Sequence, residues 1–104
     1  MAAEAEFTVA ADHPALAGHF PGNPVVPGVL VLEQVQQALE GNIGRVRLTG
    51  LPQVKFLSPL RPGEPCVVSF TEVAAAHAHF DCRSGARTIA RGTLRFEADA
   101  RDTG

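Results

Sequence analysis

Two side chains in this sequence occupy settings that core packing alone does not call for. His19 sits in Gly18-His19-Phe20-Pro21-Gly22, a constrained turn able to hold an imidazole against a pocket. A neutral imidazole accepts a proton near pH 7, since its reference pKa is about 6.5. Glu33 lies among Val31, Leu32 and Val35. An ionised carboxylate buried unpaired there is costly, and burial favours the protonated form that a general acid needs. Gln37, four residues on, shares the face of Glu33 and is placed to hold its carboxyl. Gly28 has no side chain and heads the same segment. A carbonyl oxygen could approach the unpaired N–H groups of a helix start there, as oxyanion stabilisation requires. A base, an acid and a carbonyl donor form the set that removes a proton beside a carbonyl and expels an oxygen. On residue type alone, each has a plain alternative. His19 hydrogen-bonds a loop, Glu33 and Gln37 join Glu40 on a stripe facing water, and Pro27-Gly28 simply makes a turn.

These residues need elements to hold them. Residues 12–28 carry His13-Pro14, Pro21-Gly22, Asn23-Pro24 and Pro27-Gly28, and read as one long turn-rich segment. Such a length without regular structure is uncommon in a compact domain unless it is functional. Residues 28–40 read as a helix, with Pro27 tolerated at its start and Gly41 placed to end it in the left-handed conformation. Its apolar residues cover most of the circumference, which predicts burial on most sides. Residues 6–11 read as a short strand, and 45–57 as a strand broken near Gly50 and Pro52 by a bulge or bend. Three alternating strands follow. Cys66, Val68 and Phe70 share one face, as do Ala78, Phe80 and Cys82, and Ala90, Gly92, Leu94 and Phe96. Residues 82–87 make a hairpin turn. The expected architecture is α+β, about five antiparallel strands wrapped around one buried helix. An open sheet edge would remain for a partner chain to cover.

The chain has 104 residues and reads as a single domain over 1–104, with a core at 6–98 and a loose tail at 99–104. Such a domain buries roughly two-thirds of its unfolded surface. A formal charge of −2 implies no bulk attraction to nucleic acid, although Arg83, Arg87, Arg91 and Arg95 are spaced to form a stripe. The start, Met1 to Phe7, lacks the basic and apolar runs of a signal peptide, and no segment approaches a membrane span. Two cysteines, Cys66 and Cys82, do not make a secreted disulfide framework, so the thiols are expected reduced and the protein cytoplasmic. His77, His79 and Asp81 alternate along one strand face. With no further ligand motif beside them they read as a solvated face, and no metal is expected. Nucleotide-binding and serine-hydrolase motifs are missing from the sequence.

The run from Gly18 through Glu33 to Gln37 resembles the signature of the FabZ/FabA-type 3-hydroxyacyl-[acyl-carrier-protein] dehydratases, of hotdog fold. Both the His-to-acid and acid-to-Gln spacings fit. Val54 to Glu64 resembles a second stretch of that family, and the likeness runs from about residue 6 to residue 98. The resemblance implies that His19 removes the C2 proton of a bound thioester. Glu33 assists loss of the 3-hydroxyl as water, Gln37 positions Glu33, and the Gly28 N–H holds the thioester carbonyl. It also implies that the base and acid of one site come from opposite subunits of a dimer. An acyl carrier protein bearing a 3-hydroxyacyl thioester is the implied partner, with no cofactor.

This chain departs from the family pattern in places. Its region ahead of the first strand is short. Gln34-Val35-Gln36 replaces the Ala-x-Ala that follows the acid. Leu57 and Ser58 stand where basic residues are frequent, which leaves Arg61 or the later arginines to meet a carrier. The compact size is closer to the ApeI-type dehydratases of aryl polyene pathways. Two other readings remain open: a hotdog thioesterase in which Glu33 activates water, and a non-catalytic or partner-dependent subunit that pairs with another hotdog chain.

Overall fold

Alternation with a two-residue period becomes a sheet in the structure, a computed structural model that describes residues 3–16 and 25–99. The strands are β1 (Ala3–Phe7), β2 (Val46–Phe56), β3 (Cys66–Val73), β4 (His77–Ser84) and β5 (Arg87–Ala98). They form one antiparallel sheet in the order β1-β3-β4-β5-β2. One helix, α1 (Gly28–Ile43), packs on its inner face, and a short 3-10 turn spans Pro14–Leu16. The three expected inward sets are buried except at Gly92, which is half-buried: Cys66, Val68 and Phe70; Ala78, Phe80 and Cys82; and Ala90, Leu94 and Phe96. Leu30, Val31, Val35 and Leu39 of α1 join them in one cluster. Each such Val or Leu contributes about 1.5–3 kcal/mol through burial. Cys66 and Cys82 are both free thiols inside this core. The neighbouring Cys66 sulfur, and then burial, push the Cys82 thiol well above its ordinary value.

The elements differ from the sequence reading in four places. The hairpin turn is tighter than 82–87, since β4 runs on to Ser84 and β5 starts at Arg87. β1 spans Ala3–Phe7 rather than 6–11, because Phe7 pairs with Cys66, where β3 begins, and residues beyond it have no strand to pair with. The helix passes through Gly41 and ends at Gly44, whose φ of 89° lies in the left-handed region. Its last turns are tied to β2, since the Gln36 amide donates to the Val46 carbonyl and the Val46 N–H donates to Glu40. These ties offset the roughly 1 kcal/mol that Gly41 costs inside a helix. The helix is also not enclosed on most sides, for Val29 is 63% exposed. The break in β2 occurs as expected, with register shifts between Leu48 and Gly50 and between Gly50 and Gln53. There the β2 backbone crosses against Gly92 of β5. A Cβ on Gly92 would lie 2.2 Å from the Gln53 carbonyl oxygen, so only glycine fits.

Candidate active site

Pro27 precedes α1 in an extended conformation, with φ −60° and ψ 144°, and no side chain caps the helix. The first backbone bonds run from the Leu30 and Val31 N–H groups to the Pro27 carbonyl. Among the described residues, the Gly28 and Val29 N–H groups therefore remain for another acceptor. Val26 holds this start in place, its N–H donating to the Leu60 carbonyl at 2.7 Å with both residues buried. Beside Gly28 opens a cavity of about 450 Å³, walled by Val25, Val26 and Val31 on one side and Phe56 to Leu60 with Ile89 on the other. A chamber of this size and apolar character suits an acyl chain.

The far wall is braced from β5. The Arg87 guanidinium donates to the Pro59 carbonyl at 3.0 Å and to both Glu64 carboxylate oxygens at 3.2 and 3.3 Å. Glu64 also accepts from the Arg61 N–H at 2.7 Å. That backbone bond, with the Arg87 contact, holds the Glu64 carboxyl below its ordinary range. Gly28 is closely overlain, since a Cβ there would meet the Phe56 ring at 2.8 Å. Half of Phe56 is nevertheless exposed, so its ring has room to swing aside.

Glu33 and Gln37 are both exposed on the single chain. The side of α1 that bears Glu33 also bears exposed Val29 and, further along, the Gln36 and Glu40 side chains that reach Val46. Gly28 lies against Phe56 at the other end of β2, so α1 and β2 run in opposite directions. Buried enclosure of this acid is thus not supplied by the described residues of one chain. His19 falls within residues 17–24, outside the described residues. The structure accordingly brings Gly28 to the apolar cavity and leaves Glu33 and Gln37 outside its lining, Gln37 on the β1 side of the helix beside Ala5 to Phe7. Sequence reasoning missed Phe56, the Arg87–Glu64 brace and the bond from Val26 to Leu60. Phe56, Leu60 and Glu64 fall in the second family-like stretch and Val26 in the first, while Arg87 stood only in a stripe of arginines, and none of these signals indicated the contacts themselves.

A family profile described as ApeI-like, ApeI dehydratase, matches residues 1–93. The chain belongs to the ApeI-like dehydratase family. Among curated proteins, the 3-hydroxyacyl-[acyl-carrier-protein] dehydratase FabZ of Chlamydia trachomatis serovar L2 is 30% identical over 106 residues, covering 88% of this chain and 69% of that protein. Among solved structures, the dehydratase heterocomplex ApeI:P from Xenorhabdus doucetiae superposes with a TM-score of 0.79 at 21% identity, over 91% of this chain and 86% of that one. The fluoroacetyl-CoA thioesterase FlK superposes at 0.72 with 15% identity, over 93% and 84% of the two chains. Those structural likenesses show the hotdog fold, which hosts more than one thioester chemistry. Among the described residues, no helix is long and apolar enough to cross a membrane.

Proposed function

We propose that this ApeI-like dehydratase converts (3R)-3-hydroxyacyl thioesters on an acyl carrier protein to the trans-2-enoyl form, in fatty-acid or aryl-polyene-type synthesis. The family match over residues 1–93 carries this reading, and the uncapped helix start at Gly28 beside an apolar chamber agrees with it. The acyl chain lies in the chamber with its thioester oxygen accepting from the Gly28 N–H. His19 takes the C2 proton while the Glu33 carboxyl gives its proton to the departing 3-hydroxyl. The C2–H and C3–O bonds break, the C2=C3 bond forms, and water leaves. Gln37 positions Glu33. Arg61, exposed just beyond the chamber wall, is a cation that suits an acidic carrier.

Exposed Glu33 favours a site completed by a second hotdog chain laid along β2, either another copy or a different subunit. The likeness to a dehydratase heterocomplex favours the different subunit as a second reading. The test is a mass-spectrometric assay with 3-hydroxyacyl groups of several lengths loaded on a carrier protein. Loss of one water that disappears in His19→Ala is the expected result, with a fall of at least about 100-fold in rate. No loss of water across the panel, with or without candidate partner subunits, would overturn the proposal. Activity only with a partner selects the second reading, and release of free carrier thiol without an enoyl product points to a thioesterase.

A further inference from the structure

We propose that Glu72, His77 and His79 form a binding site for a first-row divalent metal ion, best suited to Zn²⁺, on the face of the sheet turned away from α1. Alternation puts His77 and His79 on that outer face of β4, since Ala78 and Phe80 are buried. The third ligand comes from a bulge in β3. Phe70 pairs with Phe80, and the next pair is Glu72 with His79, so Thr71 and Glu72 stand against one residue of β4. Unbroken alternation would turn Glu72 to the same face as Phe70, toward the core. The extra residue reverses that parity and sets Glu72 opposite His79.

The resulting geometry is that of a ligand set. Glu72 Oε1 lies 2.9 Å from His79 Nε2 and 3.6 Å from His77 Nε2. One ligating atom from each residue falls within 4.8 Å of the others. Tetrahedral zinc, with bonds of about 2.0–2.2 Å, spaces its ligands by roughly 3.4 Å, so small side-chain rotations close the site. All three side chains are between 43% and 57% exposed, leaving them free to rotate and an ion free to reach them. Two imidazoles, a carboxylate and one position open to water make a donor set typical of zinc.

A further contact supports the site from behind. His79 Nδ1 lies 2.8 Å from Thr93 Oγ1 on β5. With Nε2 on the metal, Nδ1 carries the hydrogen and donates to that hydroxyl, fixing the ring. Nearby cations are directed elsewhere. Arg91 approaches Asp81 at 3.5 Å. Arg95 pairs with His77 across the strands, but its stem lies over Gly50 on the β2 side. Glu72 and His77 flank residues 74–76, so a bound ion would clip the β3–β4 turn.

The test uses untagged, full-length protein titrated with Zn²⁺ against a chromogenic chelator, and with Co²⁺ followed by absorption. One ion per chain is expected, bound in wild type and lost in the His77→Ala/His79→Ala double variant. Glu72→Gln and Thr93→Val should each weaken binding by about 10-fold or more. The Co²⁺ spectrum should lack a thiolate charge-transfer band, and Zn²⁺ should raise the thermal midpoint of wild type but not of the double variant. Circular dichroism checks that the variants, all altered on the outer face, remain folded. Absence of saturable uptake below about 1 mM, or uptake retained by the folded double variant, would overturn the proposal.

Discussion

The two edges of the sheet are built in opposite ways. β1 is five residues long, carries Glu4 and Glu6, and returns a hydrogen bond from Ser69 to Glu4. A short, charged strand is a blunted edge that discourages further pairing. β2 is eleven residues long and exposes Leu51 and Phe56, with Leu57 just beyond and Val29 across on the helix. Contiguous apolar surface on an open strand edge marks an interaction site. The cavity beside Gly28 lies along this second edge, with Phe56 and Leu57 in its wall. One edge is therefore blunted within the chain, while the other leaves a long strand and its apolar side chains uncovered. Pro52 and the register shifts divide β2 into two runs, so a strand added at this edge would pair along one run rather than the whole length.

The largest effect expected from breaking this contrast comes from charging the open edge. Phe56→Asp with Leu57→Asp should reduce the assembly to single chains in analytical ultracentrifugation and lower dehydration at least about 100-fold, as loss of an acid–base group would. Glu4→Lys on the other edge should change neither. Equal responses from both edges would dissolve the distinction.

A sharper probe acts where the open edge meets the helix. In a Phe56→Ala background the ring above Gly28 is gone, so Gly28→Ala and Gly28→Pro can be compared directly. Proline is tolerated at a first helical position, and the extended Pro27 before it is compatible with one. The two variants differ chiefly in one N–H group. A kcat about 100-fold lower in the proline variant is expected for a lost oxyanion donor. Equal kcat values would remove Gly28 from the chemistry.

The smallest effect concerns the brace behind that edge. Glu64 is held below its ordinary value of 4.5 in the folded chain, by the Arg61 N–H first and Arg87 second. Its contribution is complete above the unfolded value and is lost as pH falls through the lowered folded one. Wild type should therefore lose thermal stability between about pH 5 and pH 3 more steeply than Glu64→Gln. Parallel slopes would show the brace to be idle.

Much of the architecture could be read ahead of the structure, because it rests on alternation. Cys66, Val68 and Phe70 announce a half-buried strand by type and spacing, and Gly50 with Pro52 announces a break. What escaped depends on counts that alternation cannot supply. Gly41 has the composition of a helix end, yet the contacts of Gln36 and Glu40 with Val46 carry the helix on to Gly44. Unbroken alternation would put Glu72 on the core side with Phe70, and the extra residue at Thr71 reverses its face. Within the candidate site, Gly28 could be read as a close-approach position. The ring that approaches it in one chain, Phe56, arrives from a distant strand and left no local trace.

Gly92 has a consequence for that same chamber. It pairs with Val54, two residues before Phe56, and the β2 backbone rests directly on it. A methyl group there would have to lift β2 by roughly 1 Å to restore ordinary contact. Phe56 and the wall behind it would travel with the strand. The width of the chamber mouth is thus gauged from the neighbouring strand, by the thickness of a side chain that is missing, much as a shim sets the clearance between two machined parts.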